Sequence, residues 1–208
     1  MLPFSSTENQ PTHLSSKITA YSFDRAIVCD SAEIAQFLIA NNFHLENNCA
    51  VLSIDGYPQN IFSTIMEMLH RNPNLKVYAL HDASPQGISL ANQLRTNNHW
   101  FANSSATIYD LGLSPRQVFK SRSLFIRNSP DSKQEAARLP QIVKQELSPD
   151  ELEWLEKGNF VELESLMPRQ LLQVLTRGIT LSQAIDVEDA LIVVESDDSS
   201  IFATDSFD

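Results

Sequence analysis

Three acidic tips are the residues of this chain best placed to do chemistry: Asp30 after Ala26-Ile27-Val28-Cys29, Asp55 after Cys49-Ala50-Val51-Leu52-Ser53-Ile54, and Asp82 after Lys76-Val77-Tyr78-Ala79-Leu80-His81. Each closes an apolar run. A short carboxylate at the carboxyl end of a parallel strand sits where open α/β sheets place ligands and metals. The third tip is the richest, because Asp82-Ala83-Ser84-Pro85-Gln86-Gly87 is an acid-bearing turn that opens a helix.

The elements that must position these tips alternate in kind. An amphipathic helix is expected from about Ala32 to Asn41, with Ile34, Phe37 and Leu38 on one face. A second is expected to start near Pro58, a favoured first-turn residue, and shows Ile61, Ile65, Met68 and Leu69 at helical spacing. Strand, helix, strand, helix, strand, helix in short succession predicts right-handed βαβ crossovers and a parallel sheet. All three tips then lie along one edge of that sheet.

In these segments the chain resembles the Toprim domain, the topoisomerase-primase metal-binding fold. The version it is similar to is carried by the DNA-cleaving chain of type IIB topoisomerases and by the related meiotic break-forming proteins. The resemblance rests on Asp30 ending the first strand, Gly56-Tyr57-Pro58 after the second, and Asp82-Ala83-Ser84-Pro85-Gln86-Gly87 after the third. It continues through Ile108-Tyr109-Asp110-Leu111-Gly112-Leu113-Ser114-Pro115, then Leu147-Ser148-Pro149-Asp150-Glu151-Leu152 and Val161-Glu162-Leu163-Glu164-Ser165-Leu166, covering roughly residues 25 to 180. The motifs are short, and their order and spacing carry the likeness. It implies an α/β fold, a Toprim-like parallel sheet of about four strands with flanking helices and a C-terminal helical extension. The organisation expected is a flexible segment 1–24, a Toprim-like domain 25–130, a helical extension 131–181 and a mobile acidic tail 182–208.

Departures from the family pattern limit what the resemblance implies. Family members that cut or join DNA use Glu at the first position and two Asp at the third turn to hold magnesium. Here Asp30 is one methylene shorter, and Ser84 stands in place of the second Asp beside Asp82. Magnesium takes near-octahedral oxygen coordination with one or two carboxylates plus water. Asp30, Asp82, Ser84 and Asp55 are therefore the candidate metal residues, with magnesium weakly bound or absent. In the topoisomerase the nucleophilic tyrosine belongs to a separate domain ahead of the Toprim fold, and only about 25 residues precede the fold here. Tyr21, Tyr57, Tyr78 and Tyr109 all fall within or just before the expected strands and turns, so none matches the nucleophile.

Each candidate also has an ordinary reading. Asp82 or Ser84 can be a helix N-cap, and Ser31 can cap the helix after Asp30. Asp55 before Gly56 suits turn chemistry, and Glu33 suits an exposed first turn where it complements the helix dipole. His81 reads as a packed or surface histidine rather than a ligand, and His13, His44, His70 and His99 lack zinc-ligand spacing. The chain has no Gly-x-Ser-x-Gly elbow, no phosphate-binding glycine-rich loop and no dinucleotide fingerprint. A phosphorylatable receiver domain would want a second acid beside Asp30.

Charge is uneven along the 208 residues. Up to Pro140 there are 11 basic and 11 acidic residues, whereas 141–208 hold 4 basic and 15 acidic, so the net charge of −11 belongs to the last third. Arg116, Lys120, Arg122 and Arg127 follow one another without an intervening acid, a stretch that could meet nucleic-acid phosphates or be a solvated face. Ser182 to Asp208 has eight acids and no Lys or Arg, with Ala190-Leu191-Ile192-Val193-Val194 as a candidate edge strand. Such a tail is expected to cover the basic stretch and suppress nonspecific binding. With no apolar signal region or bilayer-length run and only Cys29 and Cys49 as cysteines, a reduced cytoplasm is the expected setting, with no membrane association.

The function expected is that of a stand-alone, degenerate Toprim-like protein without catalysis of its own, a DNA-associated or protein-interaction module. A protein partner supplying a nucleophile or an ATPase, and a homodimer contact through the C-terminal helices, are compatible with it. The alternative is a magnesium-dependent nuclease or phosphotransfer enzyme using Asp30 and Asp82, with Asp30 as the candidate catalytic acid or base.

Overall fold

The computed structural model describes residues 23–184 apart from Arg122. Tyr21, Arg122, the acidic residues beyond 184 and the Ala190–Val194 segment lie outside the described residues.

Four strands, β1 (Arg25–Cys29), β2 (Cys49–Ser53), β3 (Lys76–Leu80) and β4 (Thr107–Asp110), form one parallel sheet in the order β2-β1-β3-β4. The register aligns Arg25 with both Cys49 and Lys76, and Lys76 with Thr107. Side chains alternate across the sheet with period two, and that alternation builds two cores. Ile27, Cys29, Val51, Tyr78, Leu80 and Tyr109 face one side. Ala26, Val28, Ala50, Leu52, Val77 and Ala79 face the other. Because both faces are covered, the strands read as near-continuous apolar runs.

The helices follow from the crossovers. α1 (Ala32–Ala40) brings Ile34, Ala35 and Leu38 onto the first face, capped by Ser31, whose Oγ accepts the Ile34 N–H at 3.2 Å. The single turn α2 (Phe43–Glu46) adds Phe43 there. The second face is covered by α3 (Ile61–Arg71) through Ile65, Met68 and Leu69 and, beyond the short α4 (Pro85–Ile88), by α5 (Leu90–Thr96) through Leu90, Ala91 and Leu94. α3 begins at Ile61, later than the expected start near Pro58. Residues 53–60 are taken up by a turn in which the Ser53 N–H donates to the Tyr57 carbonyl at 2.7 Å and Gly56 and Asn60 adopt positive φ of 85° and 66°.

α1 alone cannot cover the first face over β3 and β4, and the C-terminal part of the chain supplies the rest. α6 (Pro115–Lys120), α7 (Pro130–Ala137), α8 (Gln141–Glu146) and α9 (Pro149–Glu156) lead into α10 (Pro168–Ala184). α10 packs Leu171, Leu175 and Ile179 into the core of the first face, and the Tyr78 hydroxyl meets Ser182 Oγ at 2.9 Å in the interior. A two-stranded antiparallel ribbon, β5 (Arg127–Asn128) with β6 (Asn159–Phe160), ties the segment before α7 to the segment after α9. The extension is thus the missing half of a layer.

Candidate acidic site at the switch point of the sheet

From β1 the chain crosses to β2 on one side, while β3 takes its place on the other side of β1. The crevice outside their carboxyl ends is the switch point where such sheets bind ligands. Asp30 and Asp82 meet there. The Asp82 N–H donates to Asp30 Oδ2 at 2.8 Å, and the Asp30 N–H donates to the Leu80 carbonyl at 3.0 Å. Asp82 Oδ1 accepts the Leu163 N–H at 2.7 Å, a peptide brought in by reciprocal 3.0 Å hydrogen bonds between Ala83 and Val161. Asp30 Oδ1 is buried and has no hydrogen-bond partner.

The two carboxyls are crowded with like charge. Burial raises Asp30 above its ordinary value, against the Asp82 N–H that lowers it. Burial, then the charge of Asp30, push Asp82 up to about 8. Glu164 is a further contributor to Asp82's rise, and it is itself raised by burial and by the charges of Glu162, Asp30 and Glu33. Burial and like charge therefore favour the protonated form within this coupled pair.

Next to Asp82 in the chain lies a buried histidine. The ring of His81, with 2% of its side chain exposed, sets Nδ1 2.8 Å from the Asp82 carbonyl and Nε2 3.0 Å from Asp110 Oδ1. A carbonyl can only accept, so Nδ1 donates. Asp110 Oδ1 also accepts the Gly112 N–H at 2.8 Å. Burial raises Asp110, but the His81 charge and hydrogen bond bring it below the ordinary range, so Nε2 donates as well. Burial would by itself depress His81, yet Asp110 more than reverses this and its pKa is raised to about 9. Gly112 makes room: a Cβ there would overlap the imidazole.

The remaining candidates fall in different places. Ser84 Oγ accepts the Gly87 N–H at 3.0 Å, making Ser84 the N-cap of α4 with Pro85 in its first turn. Ser84→Ala is expected to cost about 1 kcal/mol, read as a lower urea midpoint; an unchanged midpoint would mean the cap contributes nothing. Asp55 is exposed in the turn after β2, at the outer edge of the sheet, and shares no hydrogen bond with Asp30 or Asp82. Glu33 is exposed on the first turn of α1.

The basic stretch is divided among several partners. Arg116 Nε lies 2.9 Å from Glu151 Oε1, a carboxylate with 2% of its side chain exposed. Burial raises Glu151, but the Ser148 N–H and Arg116 bring it below its ordinary value. Arg127 pairs with Glu162 at 2.9 Å. Lys120 is exposed, as are the neighbouring Phe119, Phe125 and Ile126.

Sequence reasoning missed the His81–Asp110 pair, Gly112 as the space for it, and Glu164 and the Leu163 N–H as neighbours of Asp82. The available signal was the alternation Val161-Glu162-Leu163-Glu164, which buries Val161 and Leu163 and leaves Glu164 at the surface. Nothing in that alternation says which turn, 81 residues away, the segment joins.

A four-stranded parallel sheet with facing acids at its switch point, the second opening an Asp-x-Ser-Pro-x-Gly helix start, defines a Toprim-type α/β domain. The family model for the Toprim domain of topoisomerase 6 and Spo11, the TOP6A-Spo11 Toprim family, matches residues 26–177, helical extension included, and the chain belongs to that family. No curated protein matches the chain. Among the described residues no group of three or more His, Cys, Asp or Glu is arranged to hold a metal ion, and no helix is long and apolar enough to cross a membrane.

Proposed function

We propose that this chain is a degenerate Toprim domain that works without catalysis of its own, as a DNA-associated or protein-interaction module. The observation that carries the reading is the use to which the third turn is put. Asp82 holds the Leu163 peptide and Ser84 caps α4, so both positions of that turn serve the fold. Family membership supports an association with DNA. The stretch around Lys120, Phe125 and Ile126 supports a surface that meets a partner, which would supply the nucleophile or ATPase that a cleavage reaction requires.

Toprim domains usually bind magnesium, and the residues present suit one weakly held ion. Asp30 Oδ1, buried without a partner, and the carboxylate of Asp82 would hold it. Such an ion would polarise a phosphoryl oxygen. Burial and the charge of Asp30 favour the protonated form of Asp82, and Ser84 adds no charge, so affinity is low. The same unpartnered oxygen is what favours the alternative, a magnesium-dependent nuclease or phosphotransfer enzyme using Asp30 and Asp82.

Titration calorimetry with magnesium and with manganese separates the two readings. No saturable binding below millimolar metal is expected for the wild type, and Ser84→Asp is expected to add affinity without nuclease activity. Micromolar binding by the wild type that is lost in Asp82→Ala would overturn the proposal in favour of the enzyme.

A further inference from the structure

We infer that the acidic, phenylalanine-bearing segment 195–208 of this chain docks on the exposed surface formed by Phe119, Lys120, Phe125 and Ile126 and covers it until a partner displaces it. This rests on the reading of that stretch as a surface that meets a partner, and it names the occupant in the free protein.

The surface is apolar and uncovered among the described residues. Leu124 packs inward on the core of the first face, while Phe125 and Ile126 are 69% and 50% exposed. Phe119 stands edge-on to Trp154, with ring centroids 5.9 Å apart, and is still 48% exposed. Large apolar side chains exposed together mark a surface that another segment covers. Charge selects the segment. Lys120 is exposed beside Phe119, Arg122 follows in the sequence, and Leu111 to Pro130 contains no acid. Arg116 and Arg127 already hold Glu151 and Glu162, so the attraction falls to Lys120 and, by sequence, Arg122. Residues 195–208 are the complement: Glu195, Asp197, Asp198, Asp205 and Asp208 surround Ile201, Phe202 and Phe207, with no Lys or Arg. Opposite charges flanking two apolar cores fix which surfaces meet.

Chain length chooses this segment over Ala190–Val194. α10 has 17 residues and is about 25 Å long. It starts five residues after Leu163, which Asp82 holds at the turn that also carries the β5–β6 ribbon through Ala83 and Val161. To reach Phe125, just ahead of that ribbon, the chain must return along α10. Ala190 lies six residues beyond Ala184 and extends at most about 20 Å. Ile201 lies 17 residues beyond, with a root-mean-square span of roughly 20–25 Å and a limit of about 55 Å. A tether of that length sets an effective concentration in the millimolar range, so a contact of about millimolar affinity keeps the segment docked half the time.

The test uses the full chain carrying a nitroxide on Ser200→Cys, free of metal and DNA. The native Cys29 and Cys49 are fully buried and stay unlabelled in the folded protein. The backbone amide signals of Lys120, Phe125 and Ile126 are expected to lose more than about half their intensity, as a segment docked half the time requires. The loss is expected to shrink in about 1 M salt, where the screening length falls to about 3 Å. It is expected to disappear with Phe202→Ser plus Phe207→Ser, and with Phe125→Ser, a position the core does not use. Isotope-labelled chains without nitroxide, mixed with spin-labelled chains, are expected to show no loss. A loss in that mixture would mean that a second copy supplies the segment, and it overturns docking within one chain. Signals that keep their intensity, lose it evenly over the whole surface, or lose it regardless of the phenylalanine substitutions also overturn the inference. No arm of the test uses metal, so docking can fail while the functional proposal stands. Micromolar metal binding lost in Asp82→Ala would overturn that proposal and leave the docking result as it is.

Discussion

Replacing Asp110 with alanine is expected to destabilise the native state by about 3 kcal/mol near neutral pH, because it removes the partner of a buried ionised ring, which must then give up its proton to stay buried. The range for breaking a buried pair is about 3–5 kcal/mol, and the lower end applies since 27% of the Asp110 side chain is exposed. The loss should depend on pH in a defined direction. The folded pKa of His81, about 9, lies above its ordinary 6.5. Its stabilisation is therefore fully present below about pH 6.5 and lost as pH rises through about 9. At about 1.4 kcal/mol per pKa unit this amounts to roughly 3 kcal/mol. Asp82, raised from 3.8 to about 8, acts in the same direction, favouring the fold at low pH and losing that contribution as pH rises through about 8. Asp110 is lowered, so its contribution is present above its ordinary value and lost only as pH falls into the acid range. The wild type should thus be most stable on the acid side of neutrality and weaken toward pH 9. Urea midpoints measured from about pH 5 to 9.5 check this. In Asp110→Ala the ring no longer stays charged, so the decline should be shallower, leaving the part due to Asp82. Equal slopes in the two proteins would sink the assignment of that decline to His81.

Gly87→Ala is the second substitution with a large expected effect, about 3 kcal/mol. A Cβ at Gly87 would overlap the Asp82 carbonyl oxygen and lie 3.1 Å from both the Asp82 nitrogen and Ser84 Oγ. Two of these three are backbone atoms and cannot swing aside. That backbone is also the one whose N–H holds Asp30 and whose carbonyl holds His81. Relief of the overlap must part α4 from the Asp82 backbone, so the lost stability should come with a changed environment for the His81 ring. Denaturant unfolding with NMR of the histidine rings checks both. A variant as stable as wild type, with His81 resonances unmoved, would show that the turn has room the geometry denies it. The demand for glycine here is one of close approach, since the Gly87 backbone is helical.

The sheet was legible because each strand is a run of apolar residues between turn formers, and the helices between carry an apolar stripe at 3.6-residue spacing. Asp30 and Asp82 could be paired from topology alone, since successive βαβ crossovers place strand ends on one edge. Asp55 sits on that edge too, but one strand further out, and the strand order β2-β1-β3-β4 leaves it apart from the hydrogen-bonded pair. The start of α3 was misjudged at Pro58 because proline is equally at home in the turn that precedes a helix. Ser31, Ser84 and Ser148 were readable as caps, each accepting a helix N–H.

Partnerships made across long sequence separations were not legible. Arg116 and Arg127 read as part of a free basic stretch, yet their carboxylates, Glu151 and Glu162, each lie 35 residues further along the chain. His81 read as an ordinary packed histidine, because Asp110 enters only when β4 is laid beside β3 and Gly112 leaves the space for the ring. Local pattern determined the strands, the helices, the caps and the edge on which the acids stand, since backbone propensity and hydrophobic period act over a few residues. Tertiary structure alone decided that Asp82 would hold Leu163, that Asp30 would keep an unpartnered oxygen, and that the His81 ring would be buried against Asp110. Charge state and hydrogen-bond partnership depend on which distant groups share a desolvated space, and only the packed chain brings them there.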